Sequence, residues 1–196
     1  QDRYAGIILF SRCSTVKKVS QNFSFCHVSL RGRALAITVK FRNSPTLKLL
    51  CIYAPADSSD RGAFFQLLAS SLPPDFTPDM CIGDFNVNVN NDTPSYFIEF
   101  CDELNLHDSW KPSSSCLNYT FYGGNKERTI HSRIDMSLIS ATLLESQRIS
   151  TTHQVWHHEL DHLAIISDIA PLIPPRRTDK DFALLDPSLE DCKVLN

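Results

Sequence analysis

The segment Met80-Cys81-Ile82-Gly83-Asp84-Phe85-Asn86 sets a carboxylate and a carboxamide two positions apart at the end of a short apolar run. Alternate side chains of a strand share a face, so Asp84 and Asn86 are expected on one side and Phe85 in the core. Gly83 lets the backbone come close to another chain or a ligand. An acid and an amide so arranged suit metal-assisted phosphate chemistry: one aligns a water, the other holds the charge that develops. The alternative is a plain Gly-Asp-X-Asn turn, since both residue types favour turns for their own local hydrogen bonds.

Three further polar signals fall at or beside expected strand ends. They are Tyr53 before Ala54-Pro55, Ser132-Arg133-Ile134-Asp135, and the acid-imidazole pair Asp161-His162. Strand ends and the loops leaving them hold functional groups on a rigid scaffold. Each signal has a structural alternative. Tyr53 could be a core aromatic with a partnered hydroxyl, Asp135 a buried acid paired with Arg133 or a backbone amide, and His162 a strand cap. Three acids, an amide, a phenol and an imidazole recurring at strand ends weigh more together than singly.

The elements that must position these groups follow from periodicity. Ala5–Phe10 reads as a central strand, continuous in apolar residues. Phe23–Leu30 and Ala34–Phe41 read as two strands joined by Arg31-Gly32-Arg33. Leu47–Tyr53 is a buried strand stopped by Ala54-Pro55. Asp60-Arg61-Gly62 opens a helix with Phe64, Phe65, Leu67, Leu68 and Leu72 at helical spacing, ended by Pro73-Pro74. A second helix starts at Thr93-Pro94, with Thr93 as its cap. Tyr119–Tyr122 leads to Gly123-Gly124, then Arg133–Ser140 and Leu163–Ile169 read as strands, while the segment from Leu143-Leu144 to Trp156 is ambiguous. Residues 1–170 form one domain; beyond Pro171 the run Pro174-Pro175-Arg176-Arg177 opens an exposed linker, residues 171–196. Strands with two helices interspersed and hairpin-like links point to a mixed α/β sandwich rather than a doubly wound parallel sheet.

Composition narrows the function classes. The 196 residues are 42% apolar and 21% charged, as in ordinary globular proteins. A net charge of −3 supplies no global basic field for coating nucleic acid, yet leaves room for an enzyme that meets phosphate through a bound cation. The seven cysteines form no CxxC pair and sit mostly in apolar runs, which fits buried free thiols better than disulfides or a zinc site. No apolar run has transmembrane length. His157-His158 are adjacent on an irregular segment, cannot easily share one ion, and read as surface residues.

Taken in order, Ile52-Tyr53-Ala54-Pro55, Gly83-Asp84-Phe85-Asn86, Tyr119-Thr120-Phe121, Ser132-Arg133-Ile134-Asp135 and Asp161-His162 resemble the endonuclease/exonuclease/phosphatase superfamily. Within it, the chain is most similar to the apurinic-type endonuclease domain of non-LTR (LINE-like) retrotransposons. The match spans roughly Gly6 to Ile169, and the tail from Phe182 to Asp191 resembles the segment leading to a downstream reverse transcriptase. The resemblance implies an α+β, four-layer α/β/β/α sandwich of two mixed sheets with the site at one end. Asp84 would orient or deprotonate the attacking water, Asn86 would stabilise the pentavalent phosphorus, and Tyr53 would contact the scissile phosphate. His162 would bind a phosphate oxygen, held and kept charged by Asp135. Asp161 would help hold Mg2+, for which Mn2+ could substitute. Thr120, Ser132 and Arg133 would touch the DNA backbone. Two loops, Val87–Thr93 and Gly123–His131, are candidates for reading the double-stranded target, the latter through Lys126, Arg128 and His131.

The resemblance also implies intracellular action on chromosomal DNA in the nucleus, with no membrane partner. Two departures from the family pattern stand out. Its first motifs, including the Glu that is its principal metal ligand, would lie upstream of the region matching Gly6, so the chain is expected to be truncated at its N-terminus. Leu160 stands where Ser usually precedes the Asp-His pair. The competing readings are a degenerate copy without catalysis and a phosphodiesterase of the same superfamily acting on lipid or inositol phosphates.

Overall fold

The computed structural model describes residues 7, 16–41, 46–90, 93–110, 119–124, 129–146, 149–155 and 161–169. Apart from Ile7, the expected strand Ala5–Phe10 lies outside them, as does the tail after Pro171. Among the described residues, ten strands and three helices follow in order. A six-stranded mixed sheet carries the fold. Its strands run, edge to edge, β1 (Val16–Gln21), β2 (Ala34–Phe41), β3 (Thr46–Tyr53), β4 (Met80–Asp84), β8 (Asp135–Ser140) and β5 (Leu106–Asp108). All neighbours are antiparallel except β3 and β4, which run parallel and are joined across α1 (Ser58–Ser70). Two two-stranded sheets complete the described residues: β6 (Phe121–Gly124) with β7 (Thr129–Ser132), and β9 (Ile149–Val155) with β10 (Ala164–Ile169). The fold class is therefore mixed α+β, as expected.

Strand alternation splits the large sheet into two unlike faces. Leu50 and Ile52 of β3, Cys81 of β4, and Met136 and Leu138 of β8 enter a core with Phe64, Phe65 and Leu68 of α1 and Phe97 and Phe100 of α2 (Ser95–Glu103). Phe65 is the hub, with ring centroids 5.0 Å from Phe100 and 5.5 Å from Phe97. Phe85 stacks on it at 6.3 Å and is fully buried, which anchors the chain immediately after Asp84. On the opposite face Leu47, Met80 and Ile139 pack with Leu143 of α3 (Ala141–Glu145). There β10 approaches β8, the Ser167 hydroxyl donating to that of Ser137 at 2.9 Å. The residues expected to do chemistry lie at the end of this second face.

Two local expectations are corrected. Phe23–Leu30 is not a strand: residues 27–33 form tight turns, and Val16–Gln21 pairs with β2 instead. Phe25 and Leu30 are buried, so this segment's apolar residues plug the core from a loop and do not enter a ladder. Arg31-Gly32-Arg33 does turn, with Gly32 at φ 71. The cap of α2 is Pro94, which makes no side-chain cap bond, and not Thr93. The ambiguous stretch after Ser140 divides into α3 and β9. Of the cysteines described, Cys51 and Cys81 are buried and Cys26 is exposed, and all four, with Cys101, are free thiols.

Candidate active site

Sheet register brings three of the expected residues into one row. Tyr53 pairs with Asp84 across the parallel β3–β4 ladder, and Asp84 pairs with Asp135 across the antiparallel β4–β8 ladder. Odd positions on β3 and β8 and even positions on β4 share the second face, so all three side chains emerge together. The close approach that makes this row possible needs Gly83, at φ 139. A Cβ there would stand 2.0 Å from the carbonyl oxygen of Ile52, so no other residue fits without moving β3.

Beyond the row the chain turns sharply. Asn86 adopts φ 52, a left-handed conformation that asparagine accepts more readily than most residues. Its backbone N–H donates to Asp84 Oδ1 at 2.8 Å. Its side-chain amide donates to Ala54 O at 2.9 Å and to Asp84 Oδ2 at 3.2 Å. Both Asp84 oxygens thus accept from Asn86, and the amide also ties β4 to the loop after Tyr53. The alternative of a plain turn is half right: the turn exists, and it aims the carboxylate.

Residue His162, entering β10, completes the cluster. Its Nδ1 lies 2.9 Å from Asp135 Oδ2, and its ring tilts against Phe121 at 5.0 Å, with a β-bridge joining the same two residues. The Asp135 hydrogen bond raises the imidazole above its ordinary pKa, against the opposing effect of burial. Burial first, and then the Asp135 charge, pushes Asp84 up to about 6; the Asn86 amide, His162 and Arg61 hold it down. Asp84, Asp135 and His162 each offer one ligand atom within 4.8 Å of the others. Two carboxylates that repel each other, one of them reluctant to ionise, are a donor set a hard divalent cation would relieve, so the residues fit such an ion. Among the described residues Asp161 is not part of that cluster. It is exposed, and its carbonyl accepts from Tyr122 N at 2.7 Å.

The residues expected to touch DNA divide. Tyr53 is 38% exposed and open to a ligand. Ser132 is half-buried at the end of β7. Two others are placed inside the protein, contrary to expectation. Thr120 is fully buried, its hydroxyl accepting from the backbone N–H of Ile134 and Asp135. Arg133 is 8% exposed, with Nη2 at 2.6 Å from Asp108 Oδ2 and its guanidinium over the Trp110 ring. A buried guanidinium needs its carboxylate, which is why Arg133 is spent on the frame. Lys126 and Arg128 lie outside the described residues. The expected loop Gly123–His131 is shorter than read, because Thr129–Ser132 forms β7; Asn91 and Asp92 of the other loop also lie outside.

Sequence reasoning missed two arginines. The guanidinium of Arg33 lies 5.2 Å from the centroid of the Tyr53 ring, and Nη1 donates to Tyr53 O at 3.3 Å. Arg61 grips the loop after Tyr53, donating from Nε to Pro55 O at 3.1 Å and from Nη2 to Ala56 O. Neither had a local signal beyond a charge near a turn.

The sequence matches no protein-family model and no curated protein. Solved structures do match. The endonuclease domain of TRAS1, a telomere-specific non-LTR retrotransposon, superposes with a TM-score of 0.55 at 16% identity, covering 78% of this chain and 68% of that one. The likeness is one of fold. It agrees with the six-stranded mixed sheet, the small sheets and the helices described above. An endonuclease/exonuclease/phosphatase family protein from Leptotrichia buccalis C-1013-b also matches, at 14% identity and a TM-score of 0.46, over 79% of this chain and 61% of that one.

Proposed function

We propose that this chain is a member of the endonuclease/exonuclease/phosphatase superfamily and the endonuclease part of a non-LTR retrotransposon polyprotein. It hydrolyses one phosphodiester bond of double-stranded DNA in the nucleus, and the 3′-hydroxyl so released primes a downstream reverse transcriptase. The observation that carries the reading is the row Tyr53–Asp84–Asp135 with His162 fastened to Asp135. Four side chains from four strands or strand ends converge there without being neighbours in sequence.

The geometry supports the following roles. Asp84, titrating at about 6, is a carboxylate at neutral pH with enough basicity to take a proton from water. Asn86 aims it, and the longer of the two amide bonds, to Asp84 Oδ2 at 3.2 Å, is the one a phosphoryl oxygen would replace. With Nδ1 committed to Asp135, His162 has Nε2 as its other donor, and its raised pKa favours the charged ring that a phosphate oxygen would meet. Tyr53, steadied by Arg33, is exposed for the phosphate flank. A divalent cation held by Asp84 and Asp135 would add positive charge opposite the phosphate; carboxylate donors favour Mg2+, with Mn2+ as a substitute.

The test is nicking of supercoiled plasmid by this chain, alone and together with any residues its gene encodes upstream of Gln1. Asp84→Ala and His162→Ala are each expected to abolish nicking. Survival of nicking in both ends the proposal. Release of phosphate from inositol phosphates, with no nicking, would instead support the phosphatase reading.

A further inference from the structure

One buried residue joins all the pieces that carry the acid-imidazole pair. Thr120 uses every polar group it has been assigned. Its N–H donates to Ser132 O at 2.9 Å, tying it to the end of β7. Its hydroxyl oxygen accepts from Ile134 N at 3.0 Å and from Asp135 N at 2.9 Å, where β8 begins. Its carbonyl accepts from Leu163 N at 2.6 Å, the residue after His162. Two residues on, Tyr122 N donates to Asp161 O at 2.7 Å, so the chain grips His162 on both sides. Between these bonds Phe121 lays its ring against the imidazole, and Gly123 leaves room for it: a Cβ there would stand 2.5 Å from the Phe121 ring.

No side chain of Thr120 meets solvent, so it cannot itself touch a substrate. What it sets is the relative position of two backbones that no shared ladder connects. Asp135 begins a strand of the large sheet, whereas His162 leads into the small one. We propose that Thr120 is the positioning residue of the Asp135–His162 pair, its hydroxyl fixing the first and its carbonyl the second. The proposal rests on the endonuclease reading for its consequence in rate, though not for its geometry. A hydroxyl is required because a single oxygen must take two amide protons at once, and serine can do the same. Valine, equal in shape, leaves both amides buried and unpaired.

The experiment compares Thr120→Val and Thr120→Ser in the nicking-competent chain by three measurements. Steady-state nicking is expected to lose about tenfold or more in kcat with Thr120→Val while KM for plasmid holds, because the pair is misplaced and the DNA surface is not. The downfield proton resonance of His162 Nδ1–H is expected to broaden or vanish, and the amides of Ile134 and Asp135 to lose their protection from hydrogen exchange. Thr120→Ser should restore all three. The proposal is overturned if Thr120→Val lowers only the melting temperature, leaving kcat and the resonance unchanged, or if Thr120→Ser loses as much as Thr120→Val. Should Thr120→Val fail to fold, Thr120→Ser decides: a retained resonance and rate support the hydroxyl, and their loss refutes it. Should the wild-type chain not nick DNA, the resonance and the exchange rates still decide the positioning role, while the endonuclease reading falls separately.

Discussion

Replacing Asp84 by asparagine should abolish activity and stabilise the protein, a pairing that only a functionally costly carboxylate explains. In the folded chain Asp84 titrates at about 6 against an ordinary value of 3.8, because it is largely buried and faces Asp135. Holding it ionised therefore costs the native state roughly 3 kcal/mol at neutral pH, an upper bound that solvent screening at this half-open end reduces. The sign is set by the direction of the shift: the native state binds the proton more tightly than the unfolded chain. Stability thus falls as pH rises from about 4 to about 6, and the cost is absent in acid. Asparagine removes the charge but can accept only with Oδ1, so the 3.2 Å bond from the Asn86 amide is lost, at about 0.5–1.5 kcal/mol. A net gain of about 1–2 kcal/mol remains, or roughly 3–8 °C in melting temperature for a domain of this size. The assay is thermal unfolding in EDTA at pH 7.5 and at pH 4, with nicking measured alongside. A substitution that destabilises at pH 7.5, or whose effect is the same at both pH values, refutes the reasoning.

Gly83→Ala should lower the melting temperature by several degrees and impair nicking. A Cβ 2.0 Å from Ile52 O forces β3 and β4 apart where Tyr53 and Asp84 pair, and the φ of 139 adds about 1–3 kcal/mol of strain; thermal unfolding checks it, and an unchanged melting temperature counts against the register. Nicking at saturating Mg2+ should rise with pH as Asp84 ionises, below the value of about 6 that it has without a cation, and decline on the alkaline side as His162 loses its proton, later than a free imidazole would. An acid limb that does not move to lower pH as Mg2+ is raised contradicts the role of Asp84 as a base beside the cation. Asp108→Ala should cost more stability than Arg133→Met, on the order of 3 kcal/mol, because it strands a buried guanidinium while the latter removes the charge; urea unfolding of both variants gives the comparison.

Much of the site was readable before the fold was known. Periodicity located Ala34–Phe41, Leu47–Tyr53, the strand into Asp84 and the last strand before Ile169, because each carries alternating or continuous apolar residues. Phe23–Leu30 misled because a loop that plugs a core carries the same apolar residues as a strand. Arg133 and Thr120 misled for a related reason. A guanidinium and a hydroxyl suit DNA contacts equally well when nothing says that Asp108 and two backbone amides will claim them first.

The residue types of the site are a property of the sequence alone: Asp84 and Asn86 on one strand end, and the adjacent Asp161-His162. Alternation along a strand already requires that Asp84 and Phe85 face apart. What only the tertiary structure decided is who meets whom. Strand register is set by packing across the whole sheet, so the row Tyr53–Asp84–Asp135 could not be counted out along the chain. Nor could the 2.9 Å contact between His162 and Asp135, which joins two sheets, or the rise of the Asp84 pKa, which needs first its own burial and then a neighbour of like charge. The chemistry is local in the sequence; the spacing that makes it usable is not.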